Sequence, residues 1–338
     1  APRGTLIAYA TSPGQVASDG SGRNGAYTSA LLQHISTPDC SIENMLKRVR
    51  NTLSAATLGR QVSWEHTSLA GEFFFNPSLG ARIDIYEEAS LRDRLFVLDE
   101  AKASHRIIRE LKSLTWPRQN PAIEVFTSAI ANKASIHSLF VVGRNIYQSA
   151  CGSSSAANSY LVDFASRTSG VEEERRKALL DGILFEVFYD PDANLRKEFK
   201  MGKFQEVFAL QQHTELQPSF DFIAECLLPE ASRLHSIPGK RHVVVVDVLT
   251  SPGEMPELHM LESIYCGGIN IFWQEDEDYT PEVGELRKVK RLSLERFEIL
   301  VAKQMVIPRH LLRINYLELG GAARGQIAFP MGWTARKR

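Results

Sequence analysis

The stretch Gly4-Thr5-Leu6-Ile7-Ala8-Tyr9-Ala10-Thr11-Ser12-Pro13-Gly14, continued by Ala17-Ser18-Asp19-Gly20-Ser21-Gly22-Arg23-Asn24-Gly25-Ala26-Tyr27-Thr28, decides how the chain begins to fold. Thr5 to Ala10 is an apolar run of strand length, and Pro13-Gly14 stops it. Asp19 to Gly25 carries three glycines, so this loop can take backbone angles closed to other residues. From Tyr27 the spacing changes: Tyr27, Leu31, Leu32 and Ile35 share one helical face. Strand, glycine-rich loop and helix in that order predict an α/β unit.

The pattern continues with a helix over Ser41 to Thr52, the segment Gly59-Arg60-Gln61-Val62-Ser63-Trp64-Glu65-His66-Thr67-Ser68-Leu69, and a last strand at Gly71-Glu72-Phe73-Phe74-Phe75. Taken together, these stretches resemble the small-subunit half of a bacterial caspase-like cysteine peptidase, of the caspase, metacaspase and orthocaspase clan. The resemblance covers residues 1–78 and implies a sheet flanked by helices. It also implies peptide-bond hydrolysis by a Cys–His dyad, in which His aids thiolate attack and the acyl-enzyme is then hydrolysed.

The family's catalytic His and Cys belong to the large-subunit half, which is expected to precede residue 1. No catalytic residue is therefore assigned in this chain, which reads as the C-terminal product of a longer precursor or as one chain of a two-chain enzyme. The chain opens on Ala1 rather than Met, which processing and ordinary Met removal both explain. The implied partners are a large subunit carrying the His and Cys, and a protein substrate. No cofactor is assigned here; calcium, which activates some metacaspases, would bind through the missing half.

By the same resemblance, Asp19 helps line the pocket for a basic substrate side chain, and cleavage after Arg or Lys follows. A carboxylate there would form a charge-assisted hydrogen bond, bidentate with Arg. The alternative is a turn carboxylate that bonds only nearby backbone. Arg23 invites the opposite specificity, for an acidic side chain as in animal caspases. Trp64 and Glu65 border the implied substrate cleft, and Trp64 either walls the pocket or caps the core. His66 is not taken as the general base, which belongs to the missing half. Cys40 follows Pro38-Asp39 in a helix-start setting that can acidify a thiol, but its place argues for an ordinary one.

Composition narrows the remaining choices. A hydrophobic share of 43% with 23% charged residues is that of a soluble globular chain, and a net charge of -1 gives no field for nucleic acid or anionic membranes. No apolar run approaches the roughly 18–20 residues needed to span a bilayer, and no signal peptide opens the chain. Cys40, Cys151, Cys226 and Cys266 are too scattered for a metal site or a disulfide scaffold, which points to reduced thiols in the cytoplasm. The histidines beyond His66 show no metal spacing.

Asn76 to Gly80 marks the boundary, and residues 81–338 read as an α+β region with room for a helical linker over 81–134. Arg118 to Pro121 should break that helical pattern, and a new helix should follow to Lys133. Leu139-Phe140-Val141-Val142 and Gly182 to Tyr189 read as strands, and Arg241 to Leu249 as the clearest buried strand. Ile269 to Trp273 adds another strand, and Leu286 to Ile307 a strand and a helix. The small residues between Gly143 and Leu161 would let a backbone or ligand approach closely, without forming a phosphate loop. Glu275 to Asp278 reads as a solvated turn and Arg336 to Arg338 as a frayed tail.

By analogy with such peptidases, this region would be regulatory or target-binding, in a bacterial stress or antiphage response. The rival reading is a non-catalytic adaptor that keeps a degenerate caspase-like fold. A third is an activity of the second region's own, which its lack of motif clusters disfavours.

Overall fold

The computed structural model describes residues 4–20, 22–37, 40–69, 71, 73–75, 83, 85–255, 257–273, 289–317, 325–330 and 334–335. Pro38-Asp39, the boundary at 76–80, the acidic turn at 275–278 and the tail at 336–338 lie outside the described residues. The chain divides into two compact units, Ala1–Ile85 and Tyr86–Arg338.

In the first unit, β1 (Leu6–Tyr9) is followed by α1 (Ala26–His34), α2 (Ile42–Ala56) and β2 (Trp64–Thr67). The strands pair antiparallel, with Leu6 opposite Thr67, Ile7 opposite His66, Ala8 opposite Glu65 and Tyr9 opposite Trp64. The core lies where the two helices meet: Ala30, Cys40, Met45, Leu46, Val49 and Leu53 are buried, and Leu6, Tyr27 and Ile42 pack against them. On α2 those residues recur at helical spacing, so one stripe faces inward. The expected strand at Gly71 to Phe75 is reduced to one bridge between Phe74 and Ser41, supported by an Ile42 amide donating to Phe73 at 2.7 Å.

The second unit opens with helices. These are α3 (Ala103–Leu111), α4 (Trp116–Glu124), α5 (Ile136–Cys151), α6 (Ser155–Val162), α7 (Glu173–Phe188) and α8 (Gln217–Leu227). Residues 86–134 therefore belong to this bundle, with α3 against α5 and α4 against α6. The break expected at Arg118 to Pro121 is absent: α4 runs through Pro121. Pro121 forgoes one ladder bond, and the buried Gln119 side chain ties α4 to the end of α3 by donating to the Leu111 carbonyl at 2.9 Å.

Leu139 to Val142 and Gly182 to Phe188 are helical rather than extended, and they lie in α5 and α7. Both helices are buried on every side in these stretches, so their apolar runs lack the polar face that reveals a helical period. They cross at two glycines. A Cβ added to Gly143 would lie 2.0 Å from the Leu179 carbonyl oxygen, and one on Gly182 would lie 1.9 Å from that of Phe140. No side chain fits there, so the small residue is the condition for the crossing.

Beside the crossing, Arg144 on α5 pairs with Glu186 on α7, both nearly inaccessible to solvent. Its Nε and Nη2 donate to Oε2 at 3.0 and 2.9 Å, and further bonds reach the Leu91 and Asp190 carbonyls. Arg196 and Lys200 each donate to the other carboxylate oxygen at 2.5 Å. Leaving one partner of such a buried pair alone is costly, so the cluster fixes how the two helices are rotated.

The C-terminal part is a mixed sheet. Its strands β3 (Val244–Pro252), β4 (Leu258–Cys266), β5 (Ile269–Asn270), β7 (Val289–Ser293), β8 (Leu312–Leu317) and β9 (Gln326–Pro330) run in the order β7–β9–β4–β3–β8, with β5 on β4. A separate pair joins β6 (Phe272–Trp273) to β10 (Thr334–Ala335). Phe297, Val301, Ala302 and Met305 of α9 (Leu294–Met305) pack in one core with Val244, Val246, Val248, Ile264 and Ile327. β3 is thus buried on one face only, and Val245 between the core valines is 47% exposed.

Gly143→Ala and Gly182→Ala should each destabilise the protein by about 3 kcal/mol, the upper end for overpacking a tight core. Urea unfolding of the full chain checks this. Gly22→Ala, where the added Cβ meets nothing within 4 Å, should leave the curve unmoved.

Candidate functional site

The strand register of the first unit sorts its candidate residues. In an antiparallel pair, directly opposite residues share a face, and successive residues alternate. Leu6, Ala8, Glu65 and Thr67 therefore fall on the face carrying the helices, and Ile7, Tyr9, Trp64 and His66 on the other. The second set is open: Tyr9 is 48% and Trp64 53% exposed. Tyr9, Trp64 and His66, with the segment from Ala10 to Pro13, line a groove of about 510 Å³.

Glu65 parts from Trp64. Its carboxylate forms an ion pair with Arg50 on α2, and Arg50 Nε also donates to the Ser63 carbonyl at 3.2 Å. Burial, and then the nearby Glu65 charge, push the Tyr27 hydroxyl above its ordinary pKa. Glu65 thus ties the strand to the helices, on the face opposite the groove.

Asp19 and Arg23 sit exposed on the loop that leaves the groove wall for α1. Among the described residues nothing pairs with either charge. The backbone around Asp19 is nonetheless held. The Ser18 carbonyl accepts from the Ala26 amide at 3.2 Å, and Ser18 Oγ accepts from the Gly20 amide at 3.3 Å. Gly20 takes a φ of +72°, which a side chain would resist, so the chain turns sharply just past Asp19.

The residue that sequence reasoning missed is Gln61. It is 3% exposed, and its side-chain amide meets both stems of the loop. Oε1 accepts from the Ser18 amide at 2.9 Å, and Nε2 donates to the Ala10 carbonyl at 2.8 Å. Its own amide donates at 3.1 Å to Thr57 Oγ1, which donates at 2.8 Å to the Leu53 carbonyl near the end of α2. No local signal marks it, because its partners lie 43 and 51 residues away in sequence.

Cys40 lies buried in the helix core, away from solvent. None of the four cysteines forms a disulfide, and among the described residues no three His, Cys, Asp or Glu side chains are placed to hold a metal ion. Among the same residues no helix is long and apolar enough to cross a membrane.

The second unit contains one arrangement that resembles a nucleophile and its base. His105 Nε2 lies 2.9 Å from Ser138 Oγ. However, His105 Nδ1 accepts from the Asp99 amide at 2.8 Å, so the ring proton sits on Nε2 and points at the hydroxyl. Burial, with Lys102 nearby, lowers the His105 pKa and keeps the ring neutral. Ser138 in turn bonds Ser135, whose hydroxyl caps α5. The wrong tautomer and the buried hydroxyl make this a helix cap.

A second buried cluster centres on Asp181 of α7, which is inaccessible to solvent. Its Oδ2 accepts from the Tyr86 hydroxyl at 2.6 Å and from Lys177 Nζ at 2.5 Å; among the described residues Oδ1 makes no hydrogen bond of good geometry, with the Ser219 side chain close by. The Tyr86 ring packs at 4.3 Å on Phe140 and edge-on at 5.7 Å against Phe222. Burial outweighs the Lys177 charge and pushes the Asp181 carboxyl up to about 6.

Residues 1–74 match the family model of the caspase domain, Peptidase C14. No curated protein and no solved structure gives a significant match to the chain. The first unit is thus a caspase-like segment, related to a family of cysteine peptidases.

A carboxyl whose folded pKa is raised keeps its proton where the unfolded chain has lost it. Folding stability therefore falls as the pH rises from about 4 to about 6. Relative to Asp181→Asn, which cannot titrate, the wild-type chain should lose roughly 3 kcal/mol between pH 4 and pH 7. Denaturant titrations at both pH values measure the difference; a constant gap would mean that Asp181 titrates normally.

Proposed function

We propose that this chain is the C-terminal part of a caspase-like cysteine endopeptidase that cleaves after Arg or Lys. The observation that carries the reading is the family match over residues 1–74, which coincides with an open aromatic groove and a braced loop presenting an unpaired carboxylate. The nucleophilic Cys and its His would come from the large-subunit half, upstream in the same polypeptide or on a partner chain. In this reading Cys40 has no part in the chemistry, because it is packed in the core.

The open sheet face supports a large-subunit partner on physical grounds. A two-stranded sheet is marginal in water, and Ile7, Tyr9 and Trp64 together expose apolar surface that a neighbouring element would bury. Asp19 would then receive the basic side chain of the substrate. Among the described residues its carboxylate has no partner, so binding would not require an ion pair with any of them to be broken. The second unit, by this reading, regulates the peptidase or binds its target.

The test is to assemble the chain with its large-subunit half and measure hydrolysis of peptides carrying Arg, Lys or Asp before the scissile bond. Asp19→Ala should lower kcat/KM for Arg peptides by about 10- to 100-fold, the worth of a charge-assisted hydrogen bond. Unchanged Arg cleavage would remove the pocket role. Preference for Asp peptides, lost on Arg23→Ala, would transfer specificity to Arg23, and no hydrolysis of any peptide would favour the adaptor.

A further inference from the structure

We propose that Gln61 is the positioning residue of the loop from the end of β1 to α1: its buried amide clamps the two stems and thereby fixes where Asp19 stands. The clamp itself is independent of any activity, and only its kinetic consequence rests on the peptidase reading above.

The geometry leaves the roles of the amide unambiguous. A backbone N–H can only donate and a carbonyl can only accept, so Oε1 must face Ser18 and Nε2 must face Ala10. These partners lie 43 and 51 residues away in sequence, so neither bond belongs to a local turn of Gln61. Both are of ordinary length, and the Gln61 end of each is buried at 3% exposure while the loop end is more open.

The loop has internal bonds, Gln15 to Ser12 and Ala26 to Ser18, but little else to hold it to the β2 side. The strand ladder ends at the Tyr9–Trp64 pair, one residue before Ala10. No backbone hydrogen bond joins Ala10 to Ser18. Val16, the large apolar residue between them, is 90% exposed and contributes nothing to the core. Among the described residues, the other tie from this stretch to the β2 side is Ser12 Oγ, which donates to the Val62 carbonyl at 3.1 Å at an exposed position. Without Gln61 the Ser18 end would keep its bonds to Ala26 and Gly20 but lose its tie to the β2 side, so the segment from Thr11 to Ala17 would loosen against β2 and carry Asp19 with it.

Gln61 is itself anchored. Its backbone amide bonds Thr57 Oγ1, and that hydroxyl bonds the Leu53 carbonyl, where Leu53 is fully buried. A chain of hydrogen bonds therefore leads from the packed end of α2 to the residue before Asp19. A side chain acting this way controls how well the carboxylate is placed without touching substrate.

Hydrogen exchange of the full chain, read by mass spectrometry on wild type, Gln61→Met and Gln61→Glu, tests the clamp. Met fills the space without hydrogen bonds, so peptides spanning residues 10–20 should exchange at least 10-fold faster, with peptides of α2 unchanged. Glu can accept from Ser18 but cannot donate to Ala10 until it is protonated. Its loop should therefore be loose at pH 8 and regain protection near pH 5, after correction for intrinsic rates, because burial raises the carboxyl pKa. Wild-type protection of residues 10–20 in Gln61→Met, or no pH dependence peculiar to Gln61→Glu, overturns the proposal. The Glu variant decides the matter if Met loosens α2 as well.

In the assembled peptidase, Gln61→Met should raise KM for Arg peptides about 10-fold and leave kcat within 2-fold. A loosened loop with unchanged KM would leave the clamp standing and refute the peptidase assignment of the loop.

Discussion

A two-stranded sheet has two faces, and in this chain one pair of helices covers only one of them. That constraint organises the first unit. Leu6 joins the helix core, Glu65 meets Arg50 on the same side, and Ile7, Tyr9, Trp64 and His66 are left outside. The loop that follows β1 starts at the edge of the bare face, so groove and loop are consecutive in the chain. The same arrangement explains why a buried polar side chain lies between two strands so short. Among the described residues no third strand orders the loop backbone, and a side-chain amide supplies two hydrogen bonds of the kind a neighbouring strand would provide.

Much of this unit was legible in the sequence because its signals are local. The apolar run, the glycines and the helical spacing each depend on residues within a few positions, and β1, α1 and α2 lie where those signals place them. The site was legible only in outline. Trp64 and Glu65 are neighbours in sequence and were grouped for that reason, yet strand alternation sends them to opposite faces. Gln61 offered no local cue, since its partners are fixed by the fold as a whole. The segment at Gly71 to Phe75 has the composition of a strand, but among the described residues it finds a single bridge.

The second unit shows the complementary limit. α5 and α7 lie so deep that polar residues no longer mark an outer face, and a window of a few apolar residues then reads alike as strand or helix. The glycines that should have weakened a helix are instead what allows these two to touch backbone to backbone. Val244 to Val248 was legible as a strand because its β-branched residues alternate in burial against α9. Pro121 read as a breaker because its effect on a single helix ignores the buried side chain that ties α4 to its neighbour.

Tyr86 is the first residue of the second unit, and it is also part of that unit's interior, 5% exposed with its hydroxyl on Asp181 and its ring on Phe140. The unit thus carries its own keystone at its leading edge. Gene rearrangements that exchange whatever precedes residue 86 would keep Tyr86 with the interior it packs in. A junction only slightly later would strip the aromatic plug from above a buried carboxylate. The boundary is in this sense a point of portability: it sets how late in the sequence a new upstream partner could be joined without the recipient losing part of its core.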